Sequence, residues 1–166
     1  MMQRALRWLL AGLAASWAVV IFAAPFGLEA VSHEVRVATA LVYVGAGHVC
    51  HQRPERSFHL HGRRMPVCAR CTGLYLAAPL GLAAGLFMRR RDRADDRTYR
   101  RWRVAIVAAA VPTVISVGLE WIGGPGMSSN ISRALTALPL GAVLAAAVGA
   151  ALAGHFGPGR LLHYGL

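Results

Sequence analysis

Three cysteines share one stretch of the chain: Cys50, followed directly by His51, and then Cys68 and Cys71 in a C-x-x-C spacing. A thiolate is both a soft metal ligand and a redox nucleophile, so chemistry is expected here. Two thiolates three residues apart can reach one ion. Cys50 and His51 would complete a Cys₃His tetrahedral set suited to zinc, and less well to copper or an iron–sulfur centre. His59 and His61 are alternative nitrogen ligands. Arg53, Arg56, Arg63, Arg64 and Arg70 crowd the same stretch and would favour thiolate over thiol. An odd number of cysteines cannot all pair internally, which counts against a pure disulfide scaffold.

Two other readings stand beside the metal site. The first is thiol redox, with Cys68 and Cys71 as the working pair, Cys50 as the resolving thiol and Arg70 near a quinone head group. This looks like the quinone-linked membrane enzymes that make disulfides. Those enzymes carry a second cysteine pair in another outer loop, and residues 123–133 hold none. The second is a non-catalytic binder, in which Arg53, Arg56, Arg63, Arg64, Arg70 and Arg133, helped by Asn130, grip phosphate or carboxylate. Arginines near helix ends also commonly do no more than reach the headgroups. A covalent c-type haem is disfavoured, because Thr72 stands where C-x-x-C-H needs histidine.

The elements that carry these residues are apolar. The 166 residues are 56% hydrophobic, with mean hydropathy +0.47, and the apolar residues come in long blocks. Trp8 to Leu28 runs 21 residues without a charge. At helical rise that is about 30 Å, enough to cross the hydrocarbon. Proline after Ala23-Ala24 makes a poor cleavage site, so the segment reads as a retained helix rather than a leader. Further helices are expected at residues 67–88, 104–122 and 134–156. The block from Glu29 to Val49 has only 13 apolar residues at its end and reads equally as a short span or as an interfacial or re-entrant helix. Gly81 and Gly85 form a G-x-x-x-G pair that permits close helix approach. The expectation is an all-α, multi-pass transmembrane bundle in one domain, with four clear spans plus one shorter or re-entrant helix.

A formal charge of +11 would suggest nucleic acid in a soluble protein. Here all 18 basic residues are arginine and cluster between apolar blocks. The charge therefore reads as membrane topology and contact with anionic lipid headgroups, not nucleic acid. Residues 89–103, with eight arginines against three aspartates, form the strongest cytoplasmic signal. One helix separates them from the cysteine stretch and one from residues 123–133. Cys50, His51, Cys68, Cys71, Glu120, Asn130 and Arg133 are thus expected together on the extracytoplasmic face. Glu120 is costly in a membrane helix: either it is buried and pairs with Arg70 or Arg133, or it lies near enough to the helix end to reach the interface. A homo-oligomer remains open.

Cys50-His51-Gln52, Pro54, Arg56-Ser57-Phe58, Met65-Pro66-Val67-Cys68, Arg70-Cys71-Thr72-Gly73 and Tyr75 together resemble domain-of-unknown-function family 2085, predicted membrane proteins of bacteria and archaea. A looser second match runs through Pro112, Gly118, Asn130, Arg133 and Thr136, and the resemblance covers roughly residues 40–145. In the family's second motif an Asp-Gly pair precedes a glutamine, where this chain has Ser116-Val117 and Glu120. The resemblance implies a multi-pass cell-membrane protein and brings no activity with it.

Overall fold

The computed structural model describes residues 2–88, 96–124, 126 and 128–154. Among these, five helices carry almost all of the chain: α1 (Met2–Gly27), α2 (His33–Gly47), α3 (Ala69–Phe87), α4 (Asp96–Gly123) and α5 (Asn130–Leu152). Four contain stretches long and apolar enough to cross a membrane: Ala5–Gly27, Ala69–Phe87, Arg97–Gly123 and Asn130–Leu152. α2 has 15 residues, a length of about 22 Å, short of the roughly 30 Å of hydrocarbon.

The exception to helix is a hairpin of β1 (His59–Leu60) and β2 (Arg63–Arg64), paired antiparallel. Its two turn residues, His61 and Gly62, both have positive φ, 50° and 75°. That is what a two-residue turn matching strand twist requires, and the glycine makes half of it easy. Met65 N–H closes the hairpin on Phe58 O at 2.9 Å.

α1 runs from the end holding Phe87 and Leu152 to the end holding the hairpin. Near its start, Arg7 Nε donates to Leu152 O at 3.2 Å and Trp8 meets Phe87 edge-on at 5.5 Å. Midway, Trp17 packs against Tyr75 at 6.0 Å. At its far end, Phe26 meets the His61 ring at 5.1 Å. The ambiguity over residues 29–49 is settled by their contacts. Glu29, before α2, pairs with Arg63, and Tyr43, inside α2, donates its hydroxyl to Arg64 O. Both partners lie in one strand, so α2 stays at the hairpin end and does not carry the chain across.

α3 and α5 form the tightest pair, and glycine is the reason. Gly73, Gly81 and Gly85 lie against the backbone of Ala134, Ala142 and Ala146, while Gly141 and Gly149 lie against Leu74 and Leu82. The register is constant, so the two helices run parallel in continuous backbone contact. Without a hydrophobic drive between helices in lipid, such close approach supplies dispersion over a long seam. α4 runs antiparallel to both.

α4 and α5 both begin earlier than expected. α4 begins at Asp96, so residues 96–103 are helix rather than loop, while 89–95 lie outside the described residues. Arginine is a strong helix former, and a helix can continue past the hydrocarbon when its side chains reach water. α5 begins at Asn130 because Ser129 caps it, its Oγ accepting Ser132 N–H at 3.1 Å. Asn130 and Arg133 are therefore helical, not loop, residues.

A Cβ on Gly81 would fall 2.1 Å from Ala142 O, whereas one on Gly12 would meet nothing within 4 Å. Gly81→Leu is expected to destabilise the purified protein by about 3 kcal/mol or more through overpacking, with Gly12→Leu near neutral. Thermal unfolding in detergent measures both.

Candidate functional site

The sulfur atoms of Cys50, Cys68 and Cys71 lie within 4.8 Å of one another, and all three are free thiols. Different local devices bring them there. Cys50 follows the end of α2, where its N–H reaches Ala46 O at 2.9 Å. Cys68 is the N-cap of α3, and Cys71 follows inside the first turn. The Cys68 N–H donates to Cys50 Sγ at 3.0 Å. Negative charge on that sulfur thus sits at a helix N-terminus, where free N–H groups favour it. Ile21, Ala46, Met65 and Val67 bury the cluster, with Trp17, Phe58 and Tyr75 packed around it.

Hydrogen bonds from the Cys68 and Cys71 thiols hold Cys50 well below the ordinary thiol range, against the opposing effect of burial. Cys68 is pushed up, chiefly because its thiol donates a hydrogen bond to Cys50. One negative charge is therefore easily accommodated. Further thiolates in this apolar pocket need a cation beside them.

Gln52 joins the two cysteine segments. It has a left-handed backbone, φ 48°, a conformation that costs roughly 1 kcal/mol outside glycine. Its side-chain amide donates to Tyr43 O at 2.6 Å and Pro66 O at 2.8 Å, and its own carbonyl accepts from Arg64 Nη1. The end of α2 is thereby fastened to the residues just before Cys68.

A second cluster centres on Glu120 of α4, whose side chain is 2% exposed. Its Oε1 accepts from Arg70 Nη2 at 2.7 Å and from Arg133 Nε at 2.8 Å. Arg56 Nη2 stands 3.8 Å from Oε2. Arg70 Nη2 also reaches Ser116 Oγ at 3.2 Å. Arg133 Nη1 donates to Asn130 Oδ1 at 2.7 Å and to Glu55 O at 3.4 Å. Asn130 Nδ2 donates to Ser57 O at 3.0 Å, and the buried Ser57 donates its hydroxyl to Arg53 O at 2.8 Å. The network ties α3, α4 and α5 to residues 53–57, the segment that follows the first cysteine.

The expected site residues therefore fall into two groups. Cys50, Cys68 and Cys71 converge; Arg56, Arg70, Glu120, Asn130 and Arg133 converge. The histidines join neither. His51 and His59 are exposed, and no histidine nitrogen or carboxylate among the described residues groups with the three sulfurs. His61 turns the hairpin against Phe26. Arg63 pairs with Glu29 and Arg64 with the Gln52 carbonyl, so both serve the hairpin. Gln52 and Ser57 were missed as positioning residues. Both lie in the stretch that carries the family resemblance, but nothing in their residue types marks out the backbone carbonyls they hold.

Replacing Glu120 by Gln would leave three guanidinium groups facing a neutral amide. Breaking a buried pair from one side costs about 3–5 kcal/mol, so Glu120→Gln is expected to lower the unfolding midpoint markedly. An unchanged midpoint would remove Glu120 as the anchor of residues 53–57.

The family model described as "Predicted membrane protein (DUF2085)" matches residues 50–147. The chain is 31% identical over 105 residues to an uncharacterized protein of Methanocaldococcus jannaschii, covering 62% of this chain and 65% of that protein. It is 35% identical over 99 residues to an uncharacterized protein of Methanothermobacter thermautotrophicus, covering 59% and 82%. The chain thus spans a little under two thirds of the first relative's length. No solved structure matches it. The matched span takes in all three thiols, Arg56, Arg70, Glu120, Asn130 and Arg133, and the chain belongs to the DUF2085 family of predicted membrane proteins.

Proposed function

We propose that this membrane protein binds a zinc ion through the thiolates of Cys50, Cys68 and Cys71. The observation that carries the reading is the meeting of three sulfurs, from segments 18 residues apart, within 4.8 Å and outside any disulfide. A soft, all-sulfur donor set fits zinc. The electrostatics support the same reading, since a divalent cation would relieve the repulsion that opposes the second and third thiolates. Bound there, zinc would clamp the end of α2 to the start of α3 and, with three protein ligands, keep a position for water or another ligand. His51 is not required as the fourth ligand.

The site end faces away from the cytoplasm. Supporting this, Arg7, Arg97, Arg100, Arg101 and Arg103 all gather at the opposite end of the bundle, along the starts of α1 and α4. At the site end, by contrast, Arg63 pairs with Glu29, and Arg70 and Arg133 are turned inward onto the buried Glu120 rather than outward to the membrane surface.

Reduced protein loaded with cobalt(II) in place of zinc is expected to show thiolate-to-cobalt charge-transfer absorption. Cys50→Ser, Cys68→Ser and Cys71→Ser should each weaken binding by more than the roughly 10–100-fold typical of losing an outer hydrogen-bonding partner. His51→Ala should retain the band. Its absence from the reduced wild-type protein would refute the metal reading and favour thiol redox. For orientation, a fluorescent protein fused after Leu166 should be bright and an alkaline phosphatase fused there inactive. The opposite pair of results would invert the topology.

A further inference from the structure

Glu120 is shared by more than one cation. Arg56 and Arg70 each have their described ion pair with it, and Arg133 stands against the same carboxylate. Two donors there point to something missing. The Nε–H groups of Arg56 and of Arg70 are both sealed from solvent and have no hydrogen-bond acceptor. Leaving a buried charged donor unmet is costly, and native structures rarely do so twice in one cluster without a ligand, ion or water.

The other polar groups of the cluster are engaged. Asn130 uses its Oδ1 on Arg133 and its Nδ2 on Ser57 O, so it orients and does not receive. Arg63 and Arg64 belong to the hairpin. Arg56 differs from its neighbours: its side chain is 32% exposed, and at 3.8 Å it is only loosely held by Glu120. It therefore connects the buried donors to the aqueous end of the bundle. Guanidinium groups present their N–H donors in a planar fork that matches an oxyanion with several acceptor oxygens.

We propose that Arg56 and Arg70 bind a phosphate group at this end of the bundle, with Glu120 and Arg133 holding the two guanidiniums in place. The site is separate from the thiols and does not depend on their holding zinc. Phosphate oxygens would accept from these Nε–H groups, and the anion's charge would complement Arg56 and Arg70. The phosphate can belong to a free anion or to a lipid headgroup at the membrane surface.

Thermal unfolding of the full chain in neutral detergent tests this, with inorganic phosphate compared against sodium chloride at equal ionic strength. A parallel arm uses nanodiscs of phosphatidylcholine with and without phosphatidylglycerol. Two variants carry the same charge change: Arg56→Gln, and Arg53→Gln at an exposed neighbouring position. Stabilisation by inorganic phosphate, with half-saturation raised about tenfold in Arg56→Gln and unchanged in Arg53→Gln, would assign a free phosphate ligand. Stabilisation by phosphatidylglycerol alone, lost only in Arg56→Gln, would assign a lipid headgroup. The proposal is overturned if neither stabilises the wild-type protein. It is equally overturned if Arg56→Gln responds like wild type, or if Arg53→Gln loses as much.

Discussion

A carboxylate at 2% exposure near the end of a membrane helix can be neither left alone nor given up cheaply, and the site end of this protein is built around that constraint. Glu120 draws Arg70 from the start of α3, Arg133 from the start of α5 and Arg56 from the intervening segment. Arg133 starts a chain of hydrogen bonds that reaches the segment after Cys50. Arg133 holds Asn130, Asn130 holds Ser57, and Ser57 holds Arg53. The segment following Cys50 is thus pinned to three helices before any metal is considered. Cys68 and Cys71 need no such help, because the first turn of α3 is itself fixed by the seam with α5, where Gly73 rests on Ala134.

That division of labour explains why two clusters of unlike chemistry sit at one end of the bundle. The thiols occupy the apolar side, packed with Ile21, Met65 and Val67. There a thiolate is strengthened as a ligand and penalised as a free charge. The arginines occupy the side where α3, α4 and α5 begin or end. Arg70 lies between Cys68 and Cys71 in the chain, yet its side chain turns to Ser116 and Glu120 of α4. Successive helical residues point about 100° apart, so one short stretch of α3 serves both clusters.

Much of this was readable in the residues themselves. The meeting of Cys50 with Cys68 and Cys71, Arg70 and Arg133 as candidate partners of Glu120 and the close approach at Gly81 and Gly85 all followed from residue type and spacing, while the engagement of both arginines at once did not. What was not readable depended on backbone geometry over a few residues. His51 looked like a ligand because it adjoins Cys50, but residues adjacent in an irregular segment need not face the same way, and Gln52 turns left-handed immediately after it. Asn130 and Arg133 were placed in a loop because the apolar run begins at Ala134, although Ser129 is a ready cap. The role of Gln52 was invisible, since its partners are backbone carbonyls far apart in sequence.

Elemental analysis of the purified protein, with thiols counted after denaturation in chelator, tests the central claim most directly. About one zinc per chain and three titratable thiols are expected, matching the three ligands at Cys50, Cys68 and Cys71. Protein without metal that yields a single thiol would contradict it, placing a disulfide among these cysteines and making the cluster a redox centre instead.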